Sequence, residues 1–235
     1  LEEGWFVVSR GVTPAYILEE LTGEDADKGN STAGIVTSGR LASVVMEDRL
    51  GPWVFENGKL SETPAPQALG QFRARDVSIK GANAVDPNGN IGVLAADGGG
   101  GTVGGIWGTL TARGSHWVAP VSLERLIPDV IEAAKVCGNH LWDLTMGQSA
   151  GFMPVVNAQV VTEIEALNIL TGVTATHVAS GGVAGSEGAV VLSLSGEESV
   201  VREAFELLEG IKGEEQFEAP RLIPYIREPE ASPKH

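Results

Sequence analysis

The chain has 235 residues, 43% of them apolar, with 31 glycines and a formal net charge of −15 from 31 acidic and 16 basic side chains. That length suits one large α/β domain with an appended subdomain and a sizeable buried core. The acidic balance argues against nucleic acid, whose affinity comes mainly from neutralising phosphates with Lys and Arg, and no apolar run reaches the ~20 residues that span a bilayer.

Trp5–Arg10 is an apolar run ending before Gly11 and reads as a first strand. Thr13 with Pro14 behind it is an N-cap pattern, so a helix is expected from there to about Gly23. Ala33–Thr37, Leu41–Met46 and Trp53–Phe55 read as strands. Asn57-Gly58 is a strong hairpin-turn signal. Residues 61–70 form a proline-containing connection. Val77–Ile79 is a strand, Gly81–Asn90 a polar loop, Ile91–Ala95 a strand, and the run Gly98–Gly101 opens a helix over Gly104–Arg113. His116–Val121 is the next strand, Asp129–Val136 a helix, and Gly147–Pro154 a second loop. Strands alternating with helices imply parallel βαβ units. From Val160 on, Glu163–Leu170 and Glu197–Ile211 read as helices flanking strands Thr174–Ala179 and Ala189–Leu194. The tail from Glu214 carries four prolines and is expected to wrap the surface or to be loosely ordered.

The most informative stretch is Asp76–Gly105, DVSIKGANAVDPNGNIGVLAADGGGGTVGG. Glycines at a helix N-terminus leave backbone N–H groups uncovered where the helix dipole favours negative charge. The expected ligand is therefore a small anionic metabolite over Gly98, Gly99, Gly100, Gly101 and Thr102. Gly11 and Thr13 of the first turn, and Lys80, Gly81 and Asn83 of the polar loop, would flank it.

KGANAVDPNGN followed by DGGGGTVGG resembles the superfamily of ribose-5-phosphate isomerase A, glucosamine-6-phosphate deaminase and the CoA-transferases. Its isomerases carry a DGADEVDP-type loop and then a KGGGGAL-type loop. Arg10-Gly11-Val12-Thr13 is similar to their first phosphate-binding turn. The resemblance covers about residues 4–135. It implies an α/β fold: a doubly wound, mainly parallel sheet with ligands at the carboxyl ends of its strands, followed by a small α+β, ferredoxin-like subdomain. The domain reading is 1–156 for the α/β ligand-binding domain, 157–213 for the small subdomain and 214–235 for an extended tail.

The departures matter as much. The acids of the isomerase loop read Lys80 and Asn83 here, with Asp86 alone kept; the lysine before the glycines is Asp97, and the glutamate base aligns with Ile106. Isoleucine moves no proton, so standard enediol isomerisation is disfavoured. Glu56-Asn57-Gly58 matches the nucleophile motif of the CoA-transferases, which makes Glu56 the candidate for acyl transfer with CoA as a substrate; a plain hairpin turn explains the same letters. Asp86 and Asp97 are the candidate general bases, and Asx turns are the competing reading of Asp86-Pro87-Asn88-Gly89.

Other polar residues carry less. Lys80 is the basic residue of its loop and would pair either with an anionic ligand or with a neighbouring carboxylate. The single Cys137 excludes an internal disulfide, and His116, His140, His177 and His235 show no ligand spacing, so neither a metal nor a resident cofactor is expected. Ser149 lacks a nucleophile-elbow pattern. No signal peptide pattern opens the chain, so the cytoplasm is the expected compartment. The expected protein is a homo-oligomeric binder of an anionic metabolite, or a divergent transferase or isomerase; a non-catalytic sensor or assembly subunit is the alternative.

Overall fold

Strand β1 (Trp5–Val8) sends Val7 into one apolar cluster and Phe6 and Val8 into another, so the sheet it founds is covered on both faces. A computed structural model describes residues 2–214 and 216–225. Helix α1 (Val12–Thr22) covers the Phe6 and Val8 side through Ile17 and Leu18. It begins at Gly11, whose carbonyl accepts from Ala15 N at 3.0 Å, and has no side-chain cap. Thr13 lies exposed inside the first turn instead of capping it: Gly11 is tied to the Ser31 carbonyl at 2.8 Å, which starts the helix earlier than the Thr-Pro pair implies.

Strands β2 (Gly34–Thr37) and β3 (Arg40–Ser43) form a separate antiparallel hairpin. Strands β4 (Trp53–Glu56) and β5 (Lys59–Ser61) form the expected one: Asn57 and Gly58, at φ 50 and 78, occupy its two-residue loop. Helix α2 (Ala65–Gln71) lies mostly within the proline-containing connection of residues 61–70. Its prolines sit at or before the first turn, where no N–H is needed, and Ala65, Ala68 and Leu69 supply a buried stripe.

Strand β6 (Val77–Ile79) pairs in parallel with β1. Strand β7 (Ala84–Val85) then interrupts the loop, and β8 (Ile91–Ala95) folds back on it antiparallel. The expected parallel βαβ continuation therefore fails at β8. Asp86 gathers the N–H groups of Asn88 at 2.9 Å and Asn90 at 3.0 Å and closes the chain into a turn, which sends Ile91 back beside Val85. Helix α3 (Gly101–Arg113) buries Val103, Ile106 and Leu110, each worth about 2 kcal/mol. Strand β9 (His116–Pro120) returns to the large sheet beside β6.

Helix α4 (Val130–Lys135) is capped by Asp129. Strand β10 (Gly151–Val155) occupies half of the expected second loop; Pro154 is tolerated because β10 is an edge strand, paired on one side with β8. Strand β11 (Gln159–Val161) completes the large sheet, whose order is β11-β9-β6-β1-β4-β5, parallel from β11 to β1 and antiparallel at β4 and β5. The chain is thus mixed α/β, with a mostly parallel six-stranded sheet and small antiparallel sheets.

Helix α5 (Glu163–Thr171), opened by a Thr162–Glu165 capping box, precedes the hairpin β12 (Thr174–Ser180) and β13 (Val190–Ser195) and helix α6 (Glu198–Gly210). These share their own cluster around Leu167, Val173, Ala175 and Ala204. Residues 221–223 of the tail lie along the first hairpin, Ile223 N donating to Ser43 O at 2.8 Å and Val45 N to Arg221 O at 3.0 Å. The tail positions 215 and 226–235 lie outside the described residues. Among the described residues no helix is long and apolar enough to cross a membrane.

Candidate functional site

The carboxyl ends of β1, β6, β9 and β11 fall in register along one end of the large sheet: Val8 beside Ile79, Ile79 beside Val118, and Pro120 beside Val161. The residues just beyond them form the candidate site. A Cβ on Gly81 would sit 3.5 Å from the Pro120 carbonyl oxygen and 3.6 Å from Pro14 Cδ, so the ends of β6 and β9 and the start of α1 meet there. The Gly81 turn thus meets the first turn of α1 at Pro14, against which Gly11 also packs.

Lys80 is half-buried, and its Nζ lies 3.2 Å from the Gly81 carbonyl oxygen. Among the described residues no carboxylate forms a salt bridge with it. Burial, and secondarily the Arg125 guanidinium, push its ammonium down to about 8. Arg125 donates through Nη1 to the next carbonyl, Ala82 O, at 2.6 Å, and through Nε to Glu124 at 3.2 Å. Two cations thus rest on consecutive carbonyls of one turn. The sequence reading missed Arg125; the available signal was its place four residues past Val121, directly beyond a strand end. Around it, Glu163 accepts from Leu123 N at 2.9 Å, and Ser180, bonded to His177 at 2.7 Å, donates to Leu123 O at 3.2 Å.

The glycine run is differently employed. Asp97 Oδ1 accepts from Gly99 N at 2.8 Å and Gly101 N at 3.1 Å, and its carbonyl accepts from Gly100 N at 3.0 Å. The chain's own carboxylate therefore occupies much of the expected anion cradle. Packing explains several of the glycines: a Cβ on Gly104 would land on the Gly99 carbonyl, and one on Gly100, at φ 81, would press on Met153. Gly98 is exposed and Thr102 half-buried. The C-terminal end of α3 is held to the C-terminal end of α2 by Arg113, which donates to the Leu69, Gly70 and Phe72 carbonyls. Among the described residues no hydrogen bond joins them to Lys80, Gly11 or Thr13.

Asn83 also has structural work: its N–H donates to Gly92 O at 2.8 Å and its Oδ1 accepts from Leu94 N at 2.9 Å, which locks β8. Asp86 is buried and accepts from Asn88 N, Asn90 N, Asn90 Nδ2 at 2.9 Å and Val130 N at 3.1 Å. Burial acts to raise its pKa, but the Asn90 side chain and the backbone groups of Val130, Asn90 and Asn88 outweigh it and hold the carboxyl below its ordinary value. Four donors make it an Asx-turn anchor in a poor position to take a substrate proton. Ile106 is a core side chain.

Glu56 stands apart. It is exposed and paired across the sheet with Trp5, at the amino end of β1 and so at the opposite end from Lys80. Arg10 is taken up by the Leu50 and Gly51 carbonyls, and Ser149 donates to Asn139 O at 2.7 Å. Among the described residues no three His, Cys, Asp or Glu side chains are grouped to hold a metal ion. Comparison with family models, curated proteins and solved structures finds no match to this chain.

Proposed function

We propose that the protein binds a small anionic metabolite (a sugar phosphate, CoA ester or nucleotide-like molecule) at the carboxyl end of the parallel sheet, with Lys80 and Arg125 as the cationic contacts. One observation carries this: Lys80 makes no salt bridge with a carboxylate among the described residues, in a chain with 31 acidic side chains against 16 basic ones. A half-buried ammonium is costly without a counter-charge, and an anionic ligand beside Arg125 would supply it. The parallel strands, the helices on both faces and the KGANAVDPNGN loop support reading the chain as a divergent member of the isomerase, deaminase and CoA-transferase superfamily.

Binding without that superfamily's carboxylate chemistry is favoured, because Asp86 and Asp97 are committed to backbone N–H groups and Glu56 lies at the far end of the sheet. Self-association belongs to the same proposal. Leu141, Trp142, Leu144 and Met146 form an exposed apolar segment, and light scattering on the eluting protein reads its mass.

A thermal-shift panel of sugar phosphates, CoA esters and nucleotides tests the binding. At least one class should raise the melting temperature of the native chain, and Lys80→Met should abolish the rise. No stabilisation by any class would overturn the proposal.

A further inference from the structure

Lys80 differs from the paired lysines of the chain. Lys28 donates to Glu19 at 2.5 Å and Lys135 to Glu132 at 2.5 Å, and in both the bonded carboxylate raises the ammonium pKa. A lysine held this way keeps its proton. Lys80 Nζ rests on the Gly81 main-chain carbonyl, which stabilises a proton far less than a carboxylate does, and Gly81 itself packs against Pro120 and Pro14. Arg125 is anchored one carbonyl along, its Nη1 donating to Ala82 O.

We infer that Lys80 is a covalent amine: it forms an imine with the aldehyde or ketone of a small metabolite whose carboxylate or phosphate is held by Arg125. This deepens the binding reading above and rests on it. In the step, the neutral Nζ lone pair adds to the carbonyl carbon and the carbonyl oxygen takes a proton, giving a carbinolamine. Loss of that oxygen as water then forms the C=N bond. One amine and one carbonyl become one imine and one water, with no oxidant or reductant. The amine of Lys80, lowered to about 8 by burial and by Arg125, is free at neutral pH in a usable fraction.

The test is reductive trapping. The full chain is incubated at pH 7 with pyruvate, glyoxylate, ribose 5-phosphate or glyceraldehyde 3-phosphate and cyanoborohydride, and modified residues are mapped by peptide mass. At least one probe should label Lys80 roughly 300 times faster than Lys28 or Lys135, since an amine at about 8 is about one-tenth free at pH 7 and one at or above 10.5 about 300-fold less so. Lys80→Arg should lose that label while keeping the thermal shift, since it retains the cation without a free amine. Arg125→Met should raise the probe concentration needed. Labelling spread evenly over the lysines, or none on Lys80, overturns the inference. A thermal shift with an unlabelled Lys80 overturns it and leaves anion binding standing; absence of both removes both.

Discussion

Asp97 holds the backbone N–H of Gly101 at 3.1 Å, so the first turn of α3 is capped by a carboxylate from the same chain. Asp97→Ala should cost about 1 kcal/mol in urea denaturation, the usual worth of such a cap. Sulfate should recover part of that loss in the variant and none in the parent, because the vacated N–H groups then face solvent at a helix N-terminus. Equal stability of variant and parent would show that the glycine turn holds without its aspartate.

The glycines of α3 divide into two kinds. Gly104→Ala drives a Cβ onto the Gly99 carbonyl and should destabilise by about 2 kcal/mol or more. Gly108→Ala meets open space in the middle of the helix and should stabilise by about 0.5–1 kcal/mol. Melting temperatures moving in the same direction for both would contradict the packing described.

Asp86 makes acid stability depend on one buried carboxylate. Its folded pKa is lowered, so the stabilisation it provides is present above the unfolded value, near 3.9, and is lost as pH falls through the folded value. Asp86→Asn should cost about 2 kcal/mol at neutral pH and flatten the acid limb of the stability curve. An acid limb as steep as the parent's would assign that limb to other carboxylates.

Lys80 titrates in the opposite sense. With a folded pKa of about 8 against an ordinary 10.5, the native state holds fewer protons than the unfolded chain between those values. Stability therefore rises across that window as far as this group decides it, and the full penalty is present below pH 8. Lys80→Met should be more stable than the parent at pH 7, with an advantage that shrinks toward pH 10.5. Denaturation midpoints against pH read this directly, and a variant less stable at pH 7 would refute it.

Glu56→Gln should leave ligand-induced stabilisation unchanged, since Glu56 pairs with Trp5 at the amino end of the sheet. A loss of binding in this variant, with an unchanged melting temperature, would mean that the ligand reaches the hairpin.

Much of the local structure was legible in the residues. The Asn57-Gly58 hairpin, the Gly23 helix stop and the turn at Asp86 rest on hydrogen bonds between neighbours in the chain, and strands β1, β6 and β9 show as short apolar runs whatever their partners. The Gly81 turn meets the first turn of α1 at Pro14 because parallel strands bring their carboxyl ends together. The second sheet was not legible: Ile91–Ala95 reads equally well as a parallel or an antiparallel strand, and only its partners Ala84–Val85 and Gly151–Val155 decide.

By itself, then, the sequence determined which segments are apolar enough to pair and where turns and caps must fall, since those follow from backbone chemistry within a few residues. Tertiary structure alone decided the rest. It spent Asp97 on the glycine turn and Asp86 on Val130, set Glu56 at the far end of the sheet, and brought Arg125 to Ala82 across 43 residues. Each of those outcomes depends on strand register and on which backbone groups are left to satisfy, and neither quantity exists until the sheet has closed.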